Sequence, residues 1–379
     1  MQILPVASGK GGVGKSLVAA NLSIALAQAG NSVVLADLDL GGSNLHTVLG
    51  LRAPALGIGT YLSRKGPGFE EIVQQTEYAN LRFIPGDAEI PGIANLKSYQ
   101  KRTLIKNLLA LDADFLVLDL GSGTSYNTLD FFLLSSRGIV VSVPSLTAIL
   151  NAYLFLKNSI FRLITHSFKA KGPAGEYLKS LWMSGETLQR AYIPKILPEL
   201  RDRDPDGYEE FISRRDEYKP RLVMNLLEDP RDAGKAGKIR RSCLHYLGVD
   251  LDHLGVIYRD SLQDAALNAG LPILVYKPHS VLSQAVSRIA DKVMESKAEG
   301  MPLPDMEEVD DNYTAADMEA EIDYEAKVAN MKDLLHSGAL GEGDLVETIR
   351  SQQYEITRLR KENNFLKTRI VQNSKARGI

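Results

Sequence analysis

Ser8-Gly9-Lys10-Gly11-Gly12-Val13-Gly14-Lys15-Ser16 is the stretch from which the rest of the chain can be read. From Gly9 to Ser16 it fits G-x-x-x-x-G-K-[ST]. Met1 to Ala7 before it is short and apolar, as a buried strand would be. Leu17 to Ala29 after it has a helical pattern, with Leu22, Ile24, Ala25 and Leu26 apolar. The glycines let the backbone curl so that successive N–H groups point inward, and they remove the Cβ atoms that would keep phosphates away. A helix starting near Lys15 adds the positive end of its dipole. Lys15 then suits the β- and γ-phosphates of a nucleotide, and the Ser16 hydroxyl suits Mg²⁺.

Lys10 is a second lysine where the ordinary loop has one. The run Lys10-Gly11-Gly12-Val13-Gly14-Lys15-Ser16 resembles the deviant phosphate loop of the MinD/ParA family of ATPases. The resemblance implies that Lys10 crosses a two-fold interface to the phosphates of a second subunit, so that ATP holds two monomers face to face. It extends over most of the chain. Val33 to Asp39 reads as a second buried strand ending in two carboxylates, followed by Gly41-Gly42-Ser43-Asn44-Leu45-His46. Asp39 matches the family's switch aspartate, which orients water and supports the metal shell, while Asp37 reads as structural. Phe115 to Asp119 resembles a Walker B strand, with Asp119 holding Mg²⁺ through water. Gly121-Ser122-Gly123 stands at the family's second switch, and Asn127 to Phe131 resembles the MinD and FlhG branches.

Further along, Ile139 to Ala148 resembles the T-T-P-E-x-T-A segment, with Ser145 in place of Glu. Arg221 to Asn225 is a strand ending where the family reads the adenine edge, and an amide can donate and accept there at once. A strand-end Asn that satisfies local backbone is the alternative reading. Leu254 to Asp260 resembles the last strand and the loop that flanks the base, with Tyr258 where Pro is common. The loop residues Gly9, Lys10, Gly11, Gly12, Val13, Gly14, Lys15 and Ser16, with Gly121, Asn225 and Asp260, are therefore the expected nucleotide contacts. Lys10, Lys15 and Asp39 are the expected catalytic groups, and Ser16, Asp39 and Asp119 the expected Mg²⁺ shell.

The whole chain has 379 residues and a net charge of −3, which gives no global pull toward nucleic acid or acidic lipid. It has no run of roughly twenty apolar residues, so no spanning helix is expected, and Met1 enters a strand too soon for a leader. Cys243 is the only cysteine, which suits a reducing, cytoplasmic setting and reads as a core residue. Iron–sulfur relatives hold clusters with several thiolates, so that branch is not indicated.

The fold class expected is α/β: a mostly parallel twisted sheet with helices on both faces, a helical insertion, and a C-terminal coiled-coil helix. The ATPase domain is expected over 1–298, with the insertion at about 166–220. Between Met301 and Ala326 there are ten Asp or Glu and no Lys or Arg. Such a run repels itself, so 299–343 reads as an acidic linker, with a helical pattern from Asp317 to Leu335. In the tail, 344–373, Leu345, Ile349, Gln352, Ile356, Leu359, Asn363, Leu366 and Ile370 alternate spacings of four and three. β-Branched residues at a, Leu at d and one Asn at a favour two parallel strands. Glu355 and Glu362 at g face Arg360 and Lys367 at e. A single amphipathic helix docked on its own domain is the alternative.

The expected activity is ATP hydrolysis to ADP and phosphate by a dimerising switch that positions a cellular structure, as in division, flagellar placement or partition. Two other readings stay open: a nucleotide-gated adaptor with negligible turnover, and a DNA-binding partition ATPase. Arg240-Arg241, Lys375 and Arg377 are the only basic support for the latter. A homodimer and an activating or cargo protein are the expected partners, and a membrane is not.

Overall fold

The computed structural model describes residues 1–63, 66–86, 96–183, 193–298 and 306–336. They fall into two units, Met1–Tyr324 and Glu325–Ile379. The first holds eight strands: β1 (Gln2–Ala7), β2 (Val33–Leu38), β3 (Gln74–Gln75), β4 (Leu81–Ile84), β5 (Phe115–Leu120), β6 (Ile139–Ser142), β7 (Arg221–Leu227) and β8 (Asp252–Tyr258). They form one sheet in the order β3-β4-β2-β5-β1-β6-β7-β8, parallel except for the short β3–β4 pair. β1 lies between β5 and β6, so the chain leaves its C-terminal end at a switch point, where open α/β sheets leave a crevice.

Both faces of the sheet are covered, and strand alternation decides which side chain goes where. On β5, Phe115 and Val117 join the core beneath α1 (Lys15–Gln28). Leu116, Leu118 and Leu120 join the opposite core. The loops and helices that follow are α2 (Leu45–Val48), α3 (Ile58–Tyr61), α4 (Ser98–Leu109), α5 (Tyr126–Phe132) and α6 (Leu146–Ser167). The segment after α6 is helical: α7 (Pro173–Met183), α8 (Ile193–Arg203) and α9 (Pro205–Glu217). Asp204 caps α9 by accepting from the Gly207 N–H, with Pro205 in the first turn, where its missing N–H costs nothing. Leu178, Ile193, Leu200 and Phe211 bury their side chains in the same core as α6, so these helices are continuous with the domain.

The last elements are α10 (Ala236–Leu247), α11 (Leu262–Asn268), α12 (Ile273–Tyr276), α13 (Val281–Ala298) and α14 (Met306–His336). Here the structure corrects the sequence reading. Within the 299–343 stretch expected as an acidic linker with a possible helix, the helix begins at Met306, earlier than the pattern from Asp317, and up to Tyr324 it belongs to the first unit. Ala316 and Ala320 are fully buried. Asp323 meets Arg288 at 2.5 Å and Glu319 meets Lys292 at 2.7 Å, both cations on α13. The Tyr313 hydroxyl donates to the Leu251 carbonyl, and the Tyr258 hydroxyl donates to the Ala320 carbonyl. The run that repels itself in isolation is neutralised by cations supplied from an earlier helix, and small alanines let the helix approach.

Arg240 also departs from its expected exposure. Its guanidinium makes a two-pronged pair with Asp250 at 2.7 and 3.0 Å and stacks on the Tyr313 ring. That charge is spent inside the protein and lends nothing to a DNA-binding patch. Cys243 is buried, and burial pushes its thiol well above the ordinary range. Among the described residues no helix is long and apolar enough to cross a membrane. The heptad tail at 344–373 lies outside the described residues.

Candidate functional site

The phosphate loop is shaped by glycines at two positions that other residues could not fill. Gly12 and Gly14 have φ of 78° and 82°, in the left-handed region. A Cβ on Gly14 would also stand 2.3 Å from Asn225 Nδ2. Gly9 is confined from another side: a Cβ there would lie 2.0 Å from the backbone carbonyl oxygen of Asn151 on α6. The loop is thus wedged between β7 and α6, and its curl delivers Lys15 to the first turn of α1.

Lys15 is 7% exposed and gathers the other groups around its ammonium. It lies 2.5 Å from Asp119 Oδ1, 3.2 Å from Ser16 Oγ and 3.8 Å from Asp39 Oδ2. Asp119, at the end of β5, is almost fully buried. Burial pushes its carboxyl above the usual range, Lys15 opposes that push, and the nearby Asp39 adds to it. Asp37 is fully buried, and burial followed by the charge of Asp119 raises it to about 7. Its oxygens accept from Ser43 Oγ at 2.7 Å, Leu45 N at 3.2 Å and Asp39 N at 3.1 Å. Asp37 therefore holds the 39–45 segment in place, the structural part read from the sequence.

Asp39 is the more open carboxylate, 31% exposed, and faces Gly121, whose added Cβ would come within 3.3 Å of its Oδ1. The Gly123 N–H donates to the Ser8 carbonyl at 3.0 Å, tying the loop after β5 to the start of the phosphate loop. Lys10 is exposed, and its ammonium has Thr147 Oγ1 at 3.5 Å. Ser145, the departure from the family's Glu, caps α6 by accepting from the Ala148 N–H at 3.3 Å.

Gly9 to Ser16, Asp39, Asp119 and Gly121 thus converge at the ends of β1, β2 and β5. Asn225 is beside them, but its amide donates to the Val13 carbonyl at 2.9 Å. That contact uses one of its donors on the phosphate-loop backbone and leaves its Oδ1 uncommitted to it. Asp260 is farther out, and its Oδ1 accepts from the Leu262 N–H in a local turn. Tyr258, placed by the sequence near the base, is buried under α14 instead.

Sequence reading missed Asp130 on α5. Its carboxylate takes Lys101 of α4 and both Nε and a terminal nitrogen of Arg162 on α6, the latter at 2.5 and 2.9 Å. Burial alone would raise it, yet the two cations hold it below the usual range. The pair ties the helix after the second switch to α4 and α6. Only the distance along the chain hid it. Lys235, too, was missed: its ammonium donates to the Pro144 carbonyl at 3.0 Å and joins the loops after β6 and β7.

The donor set fits Mg²⁺. Among the described residues no three His, Cys, Asp or Glu cluster as direct metal ligands would. One hydroxyl and two carboxylates around one point suit a cation that keeps several of its waters.

The comparisons agree with this geometry. A family model described as ParA, NUBPL iron-transfer P-loop NTPase, matches residues 1–157. The septum site-determining protein MinD of Thermotoga maritima is 32% identical over 152 residues, 40% of this chain and 55% of that protein. The flagellum site-determining protein YlxH of Helicobacter pylori is 31% identical over 163 residues, 41% of this chain and 53% of that protein. The chain spans about half the length of the curated relatives it matches. A septum site-determining MinD from Pyrococcus horikoshii, solved with Mg-ADP, shares the fold at a TM-score of 0.53 and 20% identity, covering 80% of this chain and 99% of that one. With one buried cysteine, this chain cannot itself supply the thiolate pair that an iron–sulfur carrier uses. Residues 1–157 are similar in sequence to the MinD/ParA P-loop NTPases, and the chain shares their fold.

Proposed function

We propose that the protein is an ATP-dependent switch that pairs two copies face to face on ATP, hydrolyses it to ADP and phosphate, and separates them, in the spatial positioning of a cellular structure. The observation that carries this reading is the convergence of Ser16, Asp39 and Asp119 on the buried Lys15, with a second lysine, Lys10, standing exposed at the rim. One lysine serves the chain's own phosphates. The other is free to reach outward across a two-fold interface.

Phosphoryl transfer asks little covalent work of a protein; positioning and charge neutralisation supply most of the effect. The N–H groups of the loop, the N-terminal end of α1 and Lys15 would hold the phosphates, and Lys10 of the second copy would add charge as the bond breaks. Asp39, open to solvent, would position the attacking water. Ser16 directly, and Asp119 and Asp39 through water, would hold Mg²⁺, which would supply positive charge against the charge that develops on the phosphates. Asn225 keeps the loop closed through Val13, and Asp260 shapes the loop beside the base. The 344–373 heptads would hold two chains together between cycles, raising the effective concentration of one site near the other.

Phosphate release by the full-length protein with Mg-ATP tests the reading. Lys15→Ala should lose nucleotide binding. Lys10→Ala should keep binding within about threefold yet lose most turnover, because its contact is made across the pair. Asp39→Ala should bind ATP and fail to hydrolyse it. Turnover unchanged in Asp39→Ala would remove that residue from the mechanism. Tight binding with no phosphate release by the wild type would favour the adaptor reading.

A further inference from the structure

Among the described residues two that are not glycine have φ in the left-handed region, Asn80 at 65° and Leu226 at 55°. Asparagine tolerates that conformation, and Asn80 adopts it in a turn. Leucine does not, because its Cβ crowds the following carbonyl oxygen. Leu226 stands near the C-terminal end of β7, directly after Asn225. The ladder with β8 shows why the backbone turns there. Met224 pairs with Val256 and Leu227 with Tyr258, so Asn225 and Leu226 together oppose the single residue Ile257. That is a β-bulge, which bends a strand and re-aims a side chain. Val223 and Ile257 join the core beneath α1, and Met224 and Leu227 join the opposite core. Leu226 is half-buried and, among the described residues, packs into neither.

Its backbone neighbours belong to the nucleotide site. Asn225 donates to the Val13 carbonyl on the phosphate loop at 2.9 Å. On the other side, the Arg259 N–H donates to the Leu227 carbonyl at 2.9 Å, and the Arg259 guanidinium meets Glu228 at 3.2 Å. These contacts join the loops that follow β7 and β8. Leu226 therefore comes between the phosphate loop and that junction, an apolar residue held out of both cores by a conformation that is costly for it.

We infer that Leu226 is an apolar contact for the nucleobase, turned out of the sheet by the bulge to lie against the ring of the nucleotide whose phosphates the loop holds. The inference rests on the nucleotide reading proposed above. A strained residue persists where the surrounding structure holds it, and such residues cluster at binding sites. A base is flat and largely apolar on its faces, so a site for it needs apolar side chains as well as polar groups at its edge. Asn225 supplies the polar neighbour and Leu226 the apolar one, from consecutive positions that the bulge keeps on one stretch of strand end.

Calorimetric titration of the full-length protein with Mg-ATP, and separately with Mg-tripolyphosphate, distinguishes the base from the phosphates. Leu226→Gly holds the same backbone without crowding, so its Tm should stay within about 2 °C of the wild type. Its Kd for ATP should rise about tenfold, while its Kd for tripolyphosphate should change less than about twofold. Leu226→Asn also tolerates a left-handed φ but is polar, and should weaken ATP to a similar degree. Leu226→Met stays apolar and should keep the ATP Kd within about threefold. Unchanged ATP affinity in the Gly and Asn variants overturns the inference. Equal weakening of ATP and tripolyphosphate overturns it too, since the effect would then lie in the phosphate loop through Asn225. A fall in Tm of more than about 5 °C in both variants would make Leu226 a packing residue and also overturn it. A wild type that binds neither ligand removes the nucleotide reading, and this inference with it.

Discussion

Lys15 meets Asp119 at 2.5 Å with both side chains almost out of solvent, while on α14 Asp323 and Glu319 meet Arg288 and Lys292 at 2.5 and 2.7 Å with the cations 32% and 23% exposed. The distances are alike and the settings are not. In the phosphate loop Lys15 is placed by a backbone whose positive φ at Gly12 and Gly14 suits glycine, and it meets Asp119, 104 residues later at the end of β5. On α14 the charges are balanced by residues 35 and 27 positions earlier in the chain. The first arrangement gathers the ends of three strands around a short motif and builds a binding site. The second is assembled by packing and seats a helix.

Breaking each region separately sharpens the contrast. Gly9→Ala should have the largest effect. Its Cβ would meet backbone, which has no rotamer to escape into, so we expect a loss of about 1–3 kcal/mol of stability and loss of nucleotide binding, read by thermal melting with and without nucleotide. The docked helix should respond next, and to acid. His253 on β8 is buried beside Tyr313, and burial, with Lys292 near, lowers its pKa to about 3 from 6.5. Its contribution is complete above pH 6.5 and is lost as pH falls toward 3, at about 1.4 kcal/mol per pH unit. His253→Phe should flatten that limb of a stability–pH profile, and an unchanged limb would remove His253 from the acid response.

Asp323→Ala leaves Arg288 without that partner and should speed hydrogen exchange across 306–324 by roughly tenfold, about 1–2 kcal/mol. Nucleotide binding should stay intact, which is the point of the comparison. Tyr258→Phe removes one hydrogen bond to the Ala320 carbonyl, and should loosen the same segment by about 0.5–1.5 kcal/mol. Equal loss of nucleotide binding in either variant would show the two regions to be coupled.

The contrast also explains what could be read in advance. β1, β2, β5, β6 and β7 are apolar runs beside quotable motifs, and Ser16, Asp39 and Asp119 follow from their order. β3, with two glutamines, and β4, with four residues split by Arg82, are too short to show a period. Ser145 was legible as a departure, though its capping role needed the helix start. The docking of 306–324 was hidden because an acidic composition predicts self-repulsion, and nothing within the run names Arg288 or Lys292. The role of Asn225 was left between two readings, and only the position of Val13 decides which partner its donor takes here.

One consequence follows from where α14 lies. β8 closes the sheet on its side, seven residues with a row of backbone groups that no further strand pairs. A bare border of that kind is a template for strands of other molecules. The opposite border is harmless by brevity, since β3 has only two residues. The charged helix is tied to the chain at the two ends of β8, by Tyr313 to the Leu251 carbonyl and by the Tyr258 hydroxyl to the Ala320 carbonyl, a placement expected to hinder strand addition at that border. A chain trimmed at the end of α13 would keep the whole phosphate site and would be expected to stick to itself.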